Sequence, residues 1–208
     1  LQLLSVLEAK VYMTQLLHLG YSQPQADTMK GIYNMTQTLF NMPIAFIPAI
    51  TISIIPAITA HLTLGQDDQV RRTEESAARI TGLIALPCAV GLFLLAEPIT
   101  ALIGGYEQEK LVLATRLMSA LGISVFFYAT VQLTNAIMQA HGHATLPVVN
   151  MLLCGAARLA VVYFLVGNPH IGLIGAPIGA SLCYLAICIL NLVCMRRAVP
   201  QRPAIARN

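Results

Sequence analysis

One uninterrupted stretch of the sequence decides the class of fold. Residues 117–157 read LMSALGISVFFYATVQLTNAIMQAHGHATLPVVNMLLCGAA, without a single Asp, Glu, Lys or Arg. A bilayer span needs roughly 20 mostly apolar residues, so this stretch is long enough for two spans. The turn His141-Gly142-His143 separates them. We therefore predict two consecutive membrane-spanning helices in this part of the chain.

The rest of the sequence repeats this pattern. Charged residues make up 10% of the chain, too few to coat a soluble globule of 208 residues, and three more stretches carry none, at residues 31–66, 80–96 and 159–195. Turn residues and charges predict one partial span and five full ones, at residues 1–19, 31–60, 80–103, 111–140, 145–166 and 172–195, with polar loops at residues 21–30 and 65–79. We predict an all-α integral membrane protein in which short loops make successive helices antiparallel neighbours.

Several functional classes find no support in the sequence. The net charge is only +3, and the basic residues form no patch interleaved with exposed aromatics, so no nucleic-acid partner is predicted. No nucleophile elbow, phosphate loop or pair of carboxylates occurs, so no enzyme activity is predicted. The pair His141 and His143 has no third ligand nearby, and we predict neither a metal site nor a cofactor. All five cysteines fall inside apolar runs without CxxC spacing, which is typical of packing residues.

The two ends of the chain carry separate expectations. The chain begins Leu1-Gln2-Leu3-Leu4, without an initiator Met or a basic n-region, so this segment does not resemble a signal peptide. We expect a fragment whose first span begins upstream of residue 1 or very near it. At the other end, residues 198–208 are predicted to form a disordered tail.

Polar side chains recur at helical spacing in two of the predicted spans. They are spaced i, i+3, i+4 and i+7 in the second span and i, i+3 and i+7 in the fourth, at Asn34, Gln37, Thr38 and Asn41, and at Gln132, Asn135 and Gln139. An unpaired amide in hydrocarbon costs several kcal/mol, so each stripe is expected to face a hydrated cavity or other helices. The presence of two stripes of long amides favours a cavity that binds a polar headgroup; interhelical hydrogen bonding is the alternative.

Charged residues within the spans are few. Arg158 lies near the middle of the fifth span, where an arginine costs about 3 kcal/mol even on a lenient insertion scale. It could face the cavity and bind phosphate, snorkel to the interface, or pair with Glu8 of the first span. Glu8, Lys10 and Glu97 are candidates for ion coupling or ion pairing, although Glu97 also fits a residue at a span end.

Prolines and glycines mark special points along the spans. Pro43, Pro48 and Pro98 are among the prolines expected to bend or break their helices, a common feature of transporters that alternate access. Gly175 and Gly179 form a GxxxG spacing in the last span, which predicts a face of close helix packing.

The ordered set of local sequences resembles a known family. Its residues 31–43 read GIYNMTQTLFNMP, followed by TISIIPAI at 51–58, TNAIMQAHG at 134–142, LVGNP at 165–169 and GAPIG at 175–179. Together they resemble the polysaccharide-biosynthesis and MurJ-like branch of the MOP (MATE-like) flippase superfamily, especially the stage V sporulation protein B group. The resemblance covers nearly the whole chain before the terminal tail.

The resemblance implies a MATE-like fold, in which two six-helix lobes face each other across a central cavity and rock between inward-open and outward-open states. Residues 1–197 match the second, C-terminal lobe, and the first lobe of the same protein is the implied partner. MurJ-type flippases translocate lipid II, whose pyrophosphate is engaged by cations of the first lobe. Those cations have no counterpart in this chain, and Arg158 matches no family motif.

Three hypotheses of function follow. The first is half of a membrane flippase for a lipid-linked glycan, with the cavity lined by the seven residues Asn34, Gln37, Asn41, Gln132, Asn135, Gln139 and Arg158. The second is a cation-coupled multidrug exporter of the same fold, which requires a buried carboxylate. The third is a membrane scaffold without transport, in which the polar stripes pair fully with each other.

The distribution of basic residues predicts the topology. Arg71, Arg72 and Arg79 lie in the polar segment before the third span, and four more arginines follow the last span, so both regions are expected on the cytoplasmic side of the cell membrane. The loop that contains Asp27 is then expected on the outside. After replacement of the five native cysteines, a membrane-impermeant thiol reagent is expected to label Asp27→Cys in intact cells but not Asp68→Cys. The reverse labelling pattern would refute this orientation.

Overall fold

The computed structural model describes residues 2–198, and these residues form helices joined by short turns. Beyond Ala198, the predicted tail lies outside the described residues. The α-helices are α1 Gln2–His18, α2 Gln23–Ile44, α3 Ile47–Thr63, α4 Asp67–Leu94, α5 Ala96–Gly104, α6 Gln108–Ala140, α7 Thr145–Val166 and α8 Gly175–Ala198. A 3-10 turn, Gly172–Ile174, precedes α8. No strand occurs in this part of the chain, which confirms the all-α prediction.

The number of membrane spans agrees with the sequence. Five helical segments are long and apolar enough to cross a membrane, namely Gln23–Thr63, Asp67–Leu94, Gln108–Ala140, Thr145–Val166 and Gly172–Arg197. With the shorter α1 they correspond to the one partial and five full spans predicted above. Many large apolar side chains are exposed, including Leu83, Leu102 and Phe164, as expected where lipid replaces water around the protein.

Two segments predicted as polar loops are helical instead. The predicted loop at residues 21–30 is wrong because α2 begins at Gln23, where the backbone N–H of Ser22 donates to Gln25 Oε1 at 3.0 Å and Pro24 occupies the first turn. The polar stretch at residues 65–79 is also helical from Asp67 onward. Charged residues therefore indicate where a helix leaves the hydrocarbon, and the helix continues beyond that point.

Prolines explain the two interruptions of the spans. α2 ends at Ile44 and α3 begins at Ile47, with Pro48 in the first turn of α3. α4 ends at Leu94, four residues before Pro98. A proline ring clashes with the carbonyl four residues earlier, which here belongs to Ile44 and to Leu94, so each helix ends at that residue.

The long helix α6 is the centre of the bundle. It packs against α2, α3, α4, α5 and α8, and nearly half of its residues are buried. α1 packs mainly on α7, and α7 in turn packs on α8. The spans therefore surround α6, and α1 and α7 form one flank of the lobe.

Glycines allow the closest approaches between these helices. A Cβ added at Gly122 of α6 would lie 2.9 Å from the backbone N of Phe93, and one at Gly175 of α8 would lie 2.7 Å from Leu165 Cβ. Gly179 similarly approaches Val162 of α7. The GxxxG spacing is thus a packing face between α8 and α7, as predicted.

We expect Gly122→Ala and Gly175→Ala each to destabilise the protein by about 1–3 kcal/mol, because the added methyl group overlaps atoms of the neighbouring helix. The matched control is Gly82→Ala in α4, where a Cβ meets no other atom within 4 Å. Thermal unfolding in detergent should show a lower midpoint for the first two variants only. Equal midpoints for all three would contradict this account of the packing.

Candidate functional site

A buried ion pair joins the first helix to the fifth span. Arg158 Nη2 donates to Glu8 Oε1 at 2.8 Å, although the two residues are 150 positions apart in the sequence. The exposed fractions of the side chains are 17% for Arg158 and 8% for Glu8. Of the three alternatives for Arg158, pairing with Glu8 is the one that this structure contains.

The ion pair belongs to a set of side-chain contacts that links five helices into a closed ring. The Arg158 guanidinium lies 5.8 Å from the ring centre of Tyr184, within cation–π range. Edge-to-face contacts then join Tyr184 to Tyr128 at 5.2 Å and Tyr128 to Phe40 at 6.4 Å. We call this set the interhelical ring, and it consists of Glu8 and Tyr12 on α1, Tyr33 and Phe40 on α2, Tyr128 on α6, Tyr184 on α8 and Arg158 on α7.

The contact between Tyr12 and Tyr33, at 5.7 Å between ring centres, closes the ring from α1 back to α2. One hydrogen-bond donor of the ring is unused, because the buried Nε of Arg158 has no partner among the described residues. A guanidinium that keeps a free donor beside a carboxylate can donate to a water molecule or to an anionic oxygen.

A second polar cluster, which sequence reasoning missed, ties α6, α7 and α8 together. Asn191 is fully buried, and its amide donates to Thr134 Oγ1 at 3.0 Å and to Asn135 Oδ1 at 2.7 Å. Its own carbonyl accepts from Asn150 Nδ2 at 2.9 Å. Asn150 and Asn191 are each an isolated amide within an apolar run, and this feature of the sequence could have predicted that they pair inside the bundle.

This cluster corrects one predicted site residue. Asn135 was expected to line the cavity, but only 7% of its surface is exposed and it bonds to Asn191 and to the sulfur of Met151 at 3.5 Å. Its amide therefore holds helices together. The helical spacing alone could not distinguish Asn135 from Gln132 and Gln139, because the amide that is buried depends on which helix packs against α6.

The other amides of the two stripes lie at or near the surface of the lobe. Asn34 and Asn41 are exposed on α2, about 100° around the helix from the adjacent buried residues Tyr33 and Phe40, and their side chains bond to no other described residue. Gln37 and Gln132 are half-buried, and Gln139 is exposed. The structure thus places these five outside the core, on α2 and α6.

The remaining candidates are scattered. Lys10 and Glu97 are both exposed, far apart in the sequence on α1 and α5. His141 does not lie in a free turn, because its Nε2 is 2.7 Å from Glu74 Oε1 on α4. Within the described residues, no three His, Cys, Asp or Glu side chains come together as a metal site.

Comparisons with known proteins agree with this architecture. The profile of the family described as lipid II flippase MurJ matches residues 25–206. The uncharacterized membrane protein YabM of Bacillus subtilis (strain 168) is 21% identical over 178 residues, which cover 86% of this chain and 32% of that protein.

Among solved structures, a multidrug resistance MATE family transporter of the MOP superfamily, in an inward-facing conformation, superposes with a TM-score of 0.75. The identity is 12%, and the match covers 97% of this chain and 43% of that one. The chain therefore has the fold of a MATE transporter lobe and spans less than half the length of either relative.

The interhelical ring predicts a specific pattern of mutant stability. We expect Arg158→Ala to destabilise the protein by about 3–5 kcal/mol, because it leaves the Glu8 carboxylate buried without a counter-charge. The double variant Glu8→Ala/Arg158→Ala should recover part of that loss. Unfolding midpoints and folded yields of the four proteins would measure the coupling. Additive losses from the two single changes would show that the pair does not act as a unit.

Proposed function

The chain belongs to the lipid II flippase MurJ family, and from that premise we propose that it forms one lobe of a flippase for a lipid-linked glycan. The two lobes would enclose the glycan pyrophosphate headgroup, while the isoprenoid tail stays in the lipid. Transport would proceed by alternating access in the cell membrane, with the C-terminal tail in the cytoplasm. The substrate class we favour is a precursor of peptidoglycan or another polysaccharide, and a link to sporulation follows only from the resemblance noted above.

The exposed amides of α2 carry this proposal. Asn34 and Asn41 lie seven residues apart on one face of a membrane-spanning helix and bond to no described side chain. Facing hydrocarbon, each would cost several kcal/mol, whereas a hydrated cavity or a headgroup would satisfy it. A second lobe opposite this face would enclose such a cavity. Gln37, Gln132 and Gln139 would contribute further polar groups.

Arg158 would contribute through its remaining donors. Glu8 occupies one terminal nitrogen, while Nε has no partner among the described residues. A guanidinium matches phosphate oxygens in geometry, so a headgroup that reaches the interhelical ring would compete with Glu8 for Arg158. Binding of the pyrophosphate would then weaken the contact between α1 and α7.

The two rival functions have less support. A cation-coupled exporter needs a buried carboxylate that is free to bind the ion, but Glu8 is held by Arg158 and Glu97 is exposed. A scaffold without transport predicts polar stripes that pair with each other, whereas Asn34 and Asn41 are exposed without a described partner. The multidrug transporter supports the fold alone, because its identity to this chain is 12%.

The proposal predicts how substitutions change flipping. In vesicles reconstituted with the full-length protein, Asn34→Leu/Asn41→Leu is expected to lower the flipping rate of a lipid-linked glycan pyrophosphate by about tenfold or more, the effect of two lost hydrogen bonds of roughly 1 kcal/mol each. Met42→Leu, an exposed neighbour on the same helix, is the matched control and should flip at the wild-type rate.

The same assay tests the arginine. Arg158→Lys should retain part of the activity, because it keeps the charge but loses the forked geometry, and Arg158→Ala should lose far more. Folded yield is measured in parallel. Wild-type flipping by a well-folded Arg158→Ala protein would remove this residue from the mechanism, and wild-type flipping by the double leucine variant would refute the polar cavity face.

A further inference from the structure

A cleft between α3 and α4 is a separate candidate binding site. Its volume is about 500 Å³, and it is open to the surroundings of the protein. One wall is polar and comes from the first turns of α4, with Gln69, Arg72 and Ser76. The apolar part of the lining includes Ile50, Ile54 and Ile80.

The cleft crosses the boundary between the charged and the apolar parts of α4. The charges of this helix all lie between Asp67 and Arg79, and Ile80 begins a stretch without any. Eight residues separate Arg72 from Ile80, a distance of about 12 Å along a helix. One end of the cleft therefore lies at the depth of lipid headgroups and the other at the depth of the upper acyl chains.

Arg72 is the one charged side chain among the described residues that line the cleft, and it forms no ion pair or hydrogen bond with any of them. Its neighbour Arg71 differs, because its Nε lies 3.4 Å from Glu75 Oε1 on the outer face of the helix. The positive charge of Arg72 is thus available to a ligand. A guanidinium recognises a phosphate group well, since its fixed donors match the phosphate oxygens.

This end of the lobe carries five described arginines and four carboxylates, and two of the carboxylates already have basic partners, Glu75 with Arg71 and Glu74 with His141. Met195 of α8 packs against the apolar cluster that contains Ile54 and Val70, which brings Arg196 and Arg197 to the same end as Arg72. Basic clusters beside membrane spans attract anionic lipids, and basic pockets between spans bind their headgroups.

We propose that this cleft binds an anionic phospholipid, with its phosphate at Arg72 and the upper part of an acyl chain against Ile50 and Ile80. The polar side chains Gln69 and Ser76 would supply further hydrogen bonds to the headgroup. The apolar wall favours a lipid over free phosphate, which would leave the isoleucines uncovered. This inference rests on the cleft and its depth and does not depend on which substrate the protein transports.

The test is lipid binding by the full-length protein in detergent, measured by native mass spectrometry with phosphatidylglycerol and, for comparison, phosphatidylcholine. We expect Arg72→Ala to weaken binding of phosphatidylglycerol about fivefold, the contribution of one basic residue near an anionic lipid. Arg71→Ala is the matched control, with the same charge change one residue away but outside the cleft, and should bind as the wild type does.

A second variant separates the cleft from the charge. Ser76→Trp keeps Arg72 but fills the cleft, and it should weaken binding of phosphatidylglycerol as well. Unfolding midpoints without added lipid would show that both variants fold.

Three results would overturn the proposal. Equal losses for Arg71→Ala and Arg72→Ala would indicate a diffuse basic surface, and an unchanged Arg72→Ala protein would exclude the cleft. Displacement of the lipid by inorganic phosphate, or by a lipid-linked pyrophosphate at much lower concentration, would assign the cleft to free phosphate or to the transported substrate.

Discussion

Hydrocarbon offers no hydrogen-bond partner, so a polar side chain in a membrane span is stabilised by a partner within the protein or by water. The amide of Asn191 is fully buried and makes its bonds within the bundle, to Thr134, Asn135 and Asn150. Arg158 is kept in the fifth span by a carboxylate from a distant part of the sequence. Polar groups therefore act as the specific connections of the lobe, and apolar packing supplies the area between them.

The same constraint applies to the exposed amides of α2, which need water or a polar partner outside the described residues. Asn150 and Asn191 are buried and bond to each other, whereas Asn34 and Asn41 are exposed and bond to none of the described side chains. Their helix also carries the break before Pro48, where the axis can change direction. One helix thus carries an exposed polar face and ends at a break in the span, and broken helices are common in transporters.

The spans and the fold class could be predicted from the sequence because both depend on length and charge, which are local properties. The ends of the helices could be predicted less well than the spans. Asp67 was assigned to a loop because it is charged, although charge does not end a helix outside the bilayer. The site was predictable only in part. The stripes gave residue types and spacing, but only packing against α8 distinguishes the buried Asn135 from the exposed Gln139. The pairing of Arg158 with Glu8 could be no more than one of three alternatives, since nothing local relates residues 150 positions apart.

The two polar clusters differ in how readily a ligand can replace their internal bonds. The amides around Asn191 are neutral, deeply buried and bonded to one another, so opening them leaves several groups unsatisfied at once. The contact between Glu8 and Arg158 is a single charged bond with a free donor beside it, and a phosphate offers the arginine an equivalent partner. Helices α6, α7 and α8 are therefore fixed as one block. α1 packs on that block through buried Tyr12 and Leu16, and its one ion pair with the block, Glu8 with Arg158, is a contact for which an anionic ligand can compete.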